Sequence, residues 1–334
     1  MSAPAAVRRL VAVQAQYSPS PYLGLHARLD GFAIEELERA LRRGTVVKAT
    51  LMRGTLHLVH RADHAAFAAA SLDQLGRMVR GRIKLPDAEH ERVVAELRAF
   101  CEQPRATDDI RARSRELAGP PIEGAALDYA RVHLPLVHVP PSGAWRSFGK
   151  FSLVLRDAPL PSPGEGAAAL VRAYLAAYGP ATREDVAMFT GLRLGVVDAA
   201  LGDVRQLTDT EGRDLLDVPR APIPAEDTAA PVRFLPRFDV ALVSHRDRSR
   251  ITTPTYEAFR RGVPNGEVPA AWIADGQVAG LWRHRREGGT ATMELSPLPG
   301  GSTDGVEEEA LRTLRFLEPA ADELAVDVVY FGPP

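Results

Sequence analysis

One order of predicted elements recurs three times in the first 220 residues: a short helix, a second helix, then two strands joined by a turn. In the clearest copy, Thr182 precedes Asp185 by three residues, the spacing of a capping box at a helix start. Gly191 ends this helix, residues 193–204 predict a second one, and a polar turn divides the apolar runs of 205–218. This is the order of a winged helix-turn-helix, with the strand pair as its wing.

Two looser copies precede it. The middle copy spans 107–148, where Pro140-Pro141-Ser142-Gly143 predicts the tip of a hairpin. The first copy has a helix over 34–42, Gly44 as its end and paired strands over 46–60. A helical protein with hairpins and no repeated module is the alternative.

The composition changes after Pro219, where four prolines in a polar stretch predict a linker. Strands are expected beyond it at 232–235, 240–245, 271–274, 277–283 and 291–295, followed by a helix over 306–317 and a last strand over 326–331. The predicted class is α+β. The predicted regions are 1–104, 105–160 and 161–220, each with one winged helix, and a β-rich domain over 232–334.

Charge gives a mixed indication about partners. The formal net charge of −2 argues against a surface of uniform positive potential, as many nonspecific DNA binders have. The basic residues nevertheless cluster, and each cluster is either a DNA-facing stripe or a solvated face. The clusters are Arg77, Arg80, Arg82 and Lys84; Arg111, Arg113 and Arg115; Arg246, Arg248 and Arg250; and Arg283, Arg285 and Arg286.

Familiar catalytic motifs are missing from the sequence. It has no phosphate-cradling glycine loop, no Gly-x-Ser-x-Gly, no zinc-type cysteine pair and no His-Glu-x-x-His, so we expect no cofactor and no metal. His57, His60 and His64 lack a matching carboxylate or cysteine pattern. The single Cys101 excludes an intramolecular disulfide, and no apolar run approaches about 18 residues, so we expect a cytoplasmic protein without a membrane partner.

Gln14-Ala15-Gln16 is the unusual segment, because two long amides follow the apolar run 10–13. Buried amides need hydrogen-bond partners. In a strand the two side chains share one face, whereas in a helix they diverge by about 200°. A helix C-terminus with two solvated glutamines is the plainer alternative.

The stretch Leu10-Val11-Ala12-Val13-Gln14-Ala15-Gln16, followed by Leu25-His26-Ala27-Arg28-Leu29, resembles the pattern of the bacterial AlkZ and AlkX (YcaQ) DNA glycosylases. Gln16 stands where the AlkX branch carries Asp, so the chain is more similar to the AlkZ branch. Further blocks look like later parts of the pattern, in order and over nearly the whole chain: Met52-Arg53-Gly54-Thr55-Leu56-His57-Leu58-Val59, Arg233-Phe234-Leu235-Pro236-Arg237-Phe238-Asp239 with Asp247-Arg248-Ser249-Arg250, and Asp275-Gly276-Gln277-Val278-Ala279-Gly280-Leu281-Trp282.

The resemblance implies tandem winged helices joined to a C-terminal β-barrel-like domain around duplex DNA. It also implies excision of N7-alkylguanine, including bulky natural-product adducts or interstrand crosslinks, as in antibiotic self-resistance. Gln14 would orient the attacking water, and Gln16 would hold that water or the sugar-phosphate; neither amide is a strong base. Because the motif contains no lysine, monofunctional hydrolysis is expected. Only thirteen residues precede Gln14, fewer than in family members with an additional N-terminal helical segment, so part of the DNA-binding surface is expected to be missing.

Double-stranded DNA with an alkylated purine is the expected partner of a monomeric enzyme. The candidate DNA-binding residues, which could reach phosphates or the minor groove, are Arg53, Thr55 and His57 near the first wing, Arg146 and Lys150 after the second hairpin, and Arg248 and Arg250 in the β-rich domain. Arg53 could instead cap a helix or pair with a carboxylate, Thr55 could be a plain strand residue, and Arg248 and Arg250 could join an ion-pair network. A non-enzymatic winged-helix DNA-binding or regulatory protein is the alternative function, with an interaction scaffold third.

Overall fold

A computed structural model describes residues 1–83, 85–156 and 158–331 and confirms the α+β class. Lys84 of the first basic cluster lies outside the described residues. The chain divides into two compact units. The first contains Met1–Ser18 and Ala33–Ala221, and the second contains Pro19–Phe32 and Pro222–Pro334, so the segment after Ser18 groups with the C-terminal residues.

The helices are α1 (Ala3–Arg9), α2 (Ser20–His26), α3 (Ile34–Arg42), α4 (Arg61–Arg80), α5 (Asp87–Phe100), α6 (Thr107–Ala118), α7 (Ala126–His133), α8 (Pro163–Tyr178), α9 (Arg183–Thr190), α10 (Leu194–Ala200), α11 (Val240–Val243), α12 (Pro254–Gly262) and α13 (Val306–Leu317). Short 3₁₀ turns occupy Met52–Gly54, Pro120–Ala125 and Pro264–Gly266. The strands are β1 (Val13–Gln14), β2 (Val46–Thr50), β3 (Leu56–His60), β4 (Arg105–Ala106), β5 (Leu136–His138), β6 (Ser152–Leu155), β7 (Arg205–Thr208), β8 (Asp214–Asp217), β9 (Arg233–Leu235), β10 (Ala271–Ala274), β11 (Gln277–Glu287), β12 (Thr290–Pro297) and β13 (Glu323–Val328).

The first unit is built on an antiparallel six-stranded sheet in the order β1-β3-β2-β5-β6-β4. The apolar residues of α8 form the centre of its main core, where Leu170 and Tyr174 are fully buried. Gly166 lets α8 approach α4, because a Cβ at this position would lie 2.5 Å from the Ala66 carbonyl oxygen. A residue with a side chain would therefore push the two helices apart.

The predicted element order agrees with the structure in the first and third copies. In the third, Thr182 and Asp185 form the reciprocal hydrogen bonds of a capping box, and Gly191 ends α9 in the left-handed conformation with φ +75°. In the middle copy an antiparallel strand pair exists, but its second strand is β6 at Ser152–Leu155, beyond the predicted end at Phe148, and Pro140-Pro141-Ser142-Gly143 lies in a long loop rather than at the tip of a tight hairpin. Pro140 and Pro141 have no N–H to donate, so regular pairing stops and a long loop intervenes.

The second unit contains an open sheet in the order β13-β12-β11-β10-β9. The expected β-barrel is wrong, because within the described residues no sheet closes on itself. The edge strand β9 pairs only with β10, and the edge strand β13 pairs only with β12, in parallel. The last strand lies at Glu323–Val328 rather than 326–331.

The predicted strand over 240–245 is also wrong, because its first residues form the short helix α11. The carboxylate of Asp239 accepts a hydrogen bond from the backbone N–H of Ala241 at 2.9 Å and so caps this helix. Arg28 holds the same carboxylate through two hydrogen bonds of 2.6 and 2.9 Å. A contact distant in sequence therefore favours the helical turn.

None of the described helices combines the length and apolar character needed to cross a membrane.

Candidate active-site cleft

Gln14 and Gln16 lie on an extended segment, not at the end of a helix, since α1 ends at Arg9. Gln14 stands opposite His57 across the β1–β3 pair, and the backbone N–H of Ala15 donates to the Leu56 carbonyl at 2.7 Å. The two amides are close enough for Gln14 Nε2 to donate to Gln16 Oε1 at 2.5 Å. The structure thus brings the two predicted catalytic side chains together.

The two amides differ in exposure. Gln14 is 7% exposed, whereas Gln16 lies on the surface. Within the described part of the chain, Gln14 Oε1 accepts no hydrogen bond and Gln16 Nε2 donates none. The pair therefore retains one acceptor and one donor that can bind a water molecule or a polar substrate atom.

A cleft of about 340 Å³ opens beside Gln16. It lies between the strand segments of the first copy and the loop 139–151 that separates β5 from β6. Ser18 fixes the segment after Gln16 to this loop, because its hydroxyl donates to the Ser147 carbonyl at 2.8 Å. The side chains of Lys48, Phe148 and Lys150 also line this cleft.

Two predicted DNA-binding residues lie in this loop. Lys150, 88% exposed, lines the cleft and contacts an Asp108 carboxylate oxygen at 2.8 Å, which raises the pKa of its ammonium group. Arg146 is exposed and adopts φ +53°, and its guanidinium lies 5.2 Å from the centre of the Trp145 ring. Cationic groups are thus available near the candidate catalytic pair.

The other three candidates of the first unit have roles within the fold. Arg53 donates from Nη1 to the Phe189 carbonyl at the end of α9. This contact is the helix cap that the sequence offered as an alternative to DNA binding. The hydroxyl of Thr55 donates to the Met52 carbonyl at 3.2 Å. His57 is buried, and burial, followed by the charge of Arg53, lowers its pKa to about 3, which keeps the imidazole neutral at pH 7.

The three histidines between residues 57 and 64 lie in different settings. His60 Nδ1 accepts a hydrogen bond from Ala62 N–H at 3.2 Å at the start of α4, and His64 is buried one turn later. Burial, and then the charge of Arg156, lowers the pKa of His64 to about 3. The described residues bring together no group of three potential metal ligands.

Arg248 and Arg250 belong to the second unit. Arg250 is exposed, whereas Arg248 is partly buried, and burial, followed by the charge of Arg260, lowers the pKa of Arg248. DNA contact by these two residues stays a prediction.

Four residues at or next to the cleft were not predicted from the sequence: Lys48 and Phe148, which line it, and Tyr17 and His138, which contact lining residues. Lys48 is the one charged residue of the strand Val-Val-Lys-Ala-Thr, and a charged residue within this mostly apolar strand was the available signal. Phe148 is 67% exposed, and its ring centre lies 6.1 Å from that of Tyr17, itself 37% exposed. Nothing local in the sequence indicates that two residues 131 positions apart (148 − 17) form an exposed aromatic pair.

Two of three comparisons with known proteins gave a match. A family model described as DNA glycosylase AlkZ-like matches residues 7–316. Among solved structures, the chain is similar to the Streptomyces sahachiroi DNA glycosylase AlkZ, with a TM-score of 0.81 and 21% sequence identity over 98% of this chain and 94% of that one. A search of curated proteins found no match.

Proposed function

The chain belongs to the AlkZ-like DNA glycosylase family, and from this premise we propose that it excises N7-alkylated guanine from duplex DNA at the cleft beside Gln14 and Gln16. The hydrogen-bonded amide pair carries the proposal. Its remaining acceptor and donor lie next to a cleft with cationic side chains, which suits a water molecule and a phosphodiester.

Alkylation at N7 makes guanine cationic, so the C1′–N9 bond breaks with little need for acid assistance. In the proposed step, water attacks C1′ as the sugar becomes oxocarbenium-like, and the bond electrons neutralise the departing base. Gln14 Oε1 accepts a hydrogen bond from this water, and Gln16 Nε2 donates to it or to a phosphate oxygen. The amides are not bases at neutral pH, so positioning and electrostatic stabilisation provide the rate gain.

The finer features of the proposal follow the family resemblance. We propose that the three helix–helix–strand-pair segments, over 1–104, 105–160 and 161–220, act as winged helices of a monomer. Arg146 and Lys150 would contact phosphates near the lesion. The open cleft is compatible with bulky adducts and with interstrand crosslinks, and base release itself would be hydrolytic, with no protein amine attacking C1′.

The test is base release from a duplex with a single N7-methylguanine, followed by quantification of abasic sites. Gln14→Ala removes the water acceptor, and we expect base release to slow by about 100-fold or more while duplex affinity is retained. Gln103→Ala, which truncates an exposed glutamine in the turn after α5, is the matched control and should keep the wild-type rate. A wild-type protein that binds this duplex and the bulkier adducts without releasing any base would instead support a DNA-binding regulator.

A further inference from the structure

A lysine lies in the same cleft as Gln16. Lys48 is on β2, lines the cleft, and is only 6% exposed. Its stem passes under Gly143, where a Cβ would lie 3.3 Å from Lys48 Cδ. Gly143 adopts φ +95°, which a residue with a side chain rarely does, so the loop over Lys48 depends on glycine at this position.

The surroundings of Lys48 disfavour its charged form and so lower the pKa of its amine. Across the described ranges, no carboxylate pairs with Lys48 and its ammonium group donates no hydrogen bond. The charged group that acts on Lys48 is the Arg131 guanidinium, whereas the nearby imidazole of His138, whose own pKa burial lowers to about 2, is neutral. Burial, followed by the charge of Arg131, lowers the pKa of Lys48 to about 8, so roughly a tenth of the amine is neutral at pH 7.

The other lysine of the cleft has the opposite character. Lys150 pairs with Asp108, and this contact raises the pKa of its ammonium group. A protonated amine is not a nucleophile. Of the two cleft lysines, Lys48 is therefore the one suited to attack an electrophilic carbon.

We propose that the Lys48 amine forms a Schiff base with C1′ of the abasic site left after base release and cleaves the DNA backbone there. This is an abasic-site lyase activity in addition to base excision. It rests on the proposed function, because the cleft must hold the deoxyribose from which the base has left.

The step needs no co-reactant. In the ring-opened sugar, the Lys48 nitrogen lone pair attacks the C1′ aldehyde, and the carbinolamine loses water to give a protonated imine. The imine acidifies C2′, a proton leaves to solvent, and the C3′–O bond breaks, so that the strand on the 3′ side departs with a 5′-phosphate. Water then hydrolyses the imine, which restores Lys48 and leaves an unsaturated aldehyde on the other strand end.

This proposal changes the expectation of a purely monofunctional enzyme. That expectation relied on the absence of lysine from Gln14-Ala15-Gln16. The structure brings a lysine from a different strand to the same cleft, 32 residues further along the chain (48 − 16).

The experiment starts from a preformed abasic site, made by removing uracil from a synthetic duplex, so it does not depend on base release by this protein. Sodium borohydride is added at protein concentrations that saturate the duplex, and the reduced covalent adduct is counted on a denaturing gel. We expect an adduct with the wild-type protein and at least a tenfold loss with both Lys48→Met and Lys48→Arg. Arg172→Met, at an exposed basic residue of α8 that does not line the cleft, is the matched control and should retain the adduct.

The chain has three lysines, Lys48, Lys84 and Lys150, which makes mapping of the adduct by peptide mass spectrometry direct. Circular dichroism and anisotropy with the abasic duplex establish that the variants fold and bind. No adduct with the wild-type protein, or an adduct on another lysine or on the N-terminal amine, would overturn the proposal. A wild-type protein that forms the adduct on Lys48 but releases no base from an N7-methylguanine duplex would overturn the proposed function and leave the lyase proposal standing.

Discussion

Lys48→Met is expected to stabilise the protein at neutral pH. The methionine side chain is close in length to the lysine stem and fits the same space between β2 and Gly143. It removes a charge that the fold holds at 6% exposure with no carboxylate partner among the described residues. Buried charges of this kind persist where function requires them, at a cost in stability.

The magnitude follows from the pKa of Lys48, which burial lowers from 10.5 to about 8. Each tenfold change in proton affinity is worth about 1.4 kcal/mol, so the ammonium costs the folded state up to ~3 kcal/mol. Because the pKa is lower in the folded than in the unfolded state, this cost is complete below pH 8 and disappears above about pH 10.5. Allowing for relaxation of the site, we expect Lys48→Met to raise the free energy of unfolding at pH 7 by about 1 to 3 kcal/mol.

Urea denaturation at pH 7 and at pH 9.5 measures this effect. The difference between Lys48→Met and wild type should shrink at the higher pH, because the wild-type amine is then largely neutral. Lys150→Met, at an exposed and ion-paired lysine, serves as the control and should not gain stability at pH 7. If Lys48→Met is less stable than the wild type at pH 7, the buried ammonium group of Lys48 does not lower the free energy of unfolding, and the reasoning is refuted.

Three further predictions concern other contacts. Phe148→Ala should weaken binding to a duplex with an abasic site by about tenfold in fluorescence anisotropy, because exposed aromatics stack on unpaired bases; Met78→Ala, at an exposed residue of α4, should not. Arg53→Ala should lower the free energy of unfolding by about 1 to 2 kcal/mol through loss of its bond to Phe189, whereas Arg42→Ala, which breaks a surface pair, should cost below about 0.5 kcal/mol; equal losses would contradict the capping role. Thr182→Ala should cost about 1 kcal/mol in the same urea measurement, and no change would show that the capping box is dispensable.

The sequence predicted best where local chemistry decides the structure. Thr182, Asp185 and Gly191 marked both ends of α9 correctly, because a capping box and a left-handed glycine act within one turn of helix. The strand pairs of the first and third copies were predicted for the same reason, since their turns are short.

Prediction failed where a distant partner decides. The helix α11 depends on Asp239, which Arg28 fixes from 211 residues away. The extended form of Gln14-Ala15-Gln16 depends on pairing with β3. The sequence alone therefore could not decide between a strand and the end of a helix. Lys48 was missed because the cleft around it is completed by the loop between β5 and β6, whose path no local pattern determines.

The segment after Ser18 has a consequence for how such a chain can be recombined. The polypeptide leaves the first unit at Ser18, returns to it at Ala33, and leaves it again after Ala221, so neither unit is one continuous stretch of gene. A cut at Ala221 would separate α2, with its fully buried Tyr22 and Leu25, from the residues of its own unit. A chimaera that takes its C-terminal third from a relative would therefore also need that relative's counterpart of residues 19–32. Because these residues closely follow Gln14-Ala15-Gln16, the candidate catalytic segment and the second unit are expected to be inherited together.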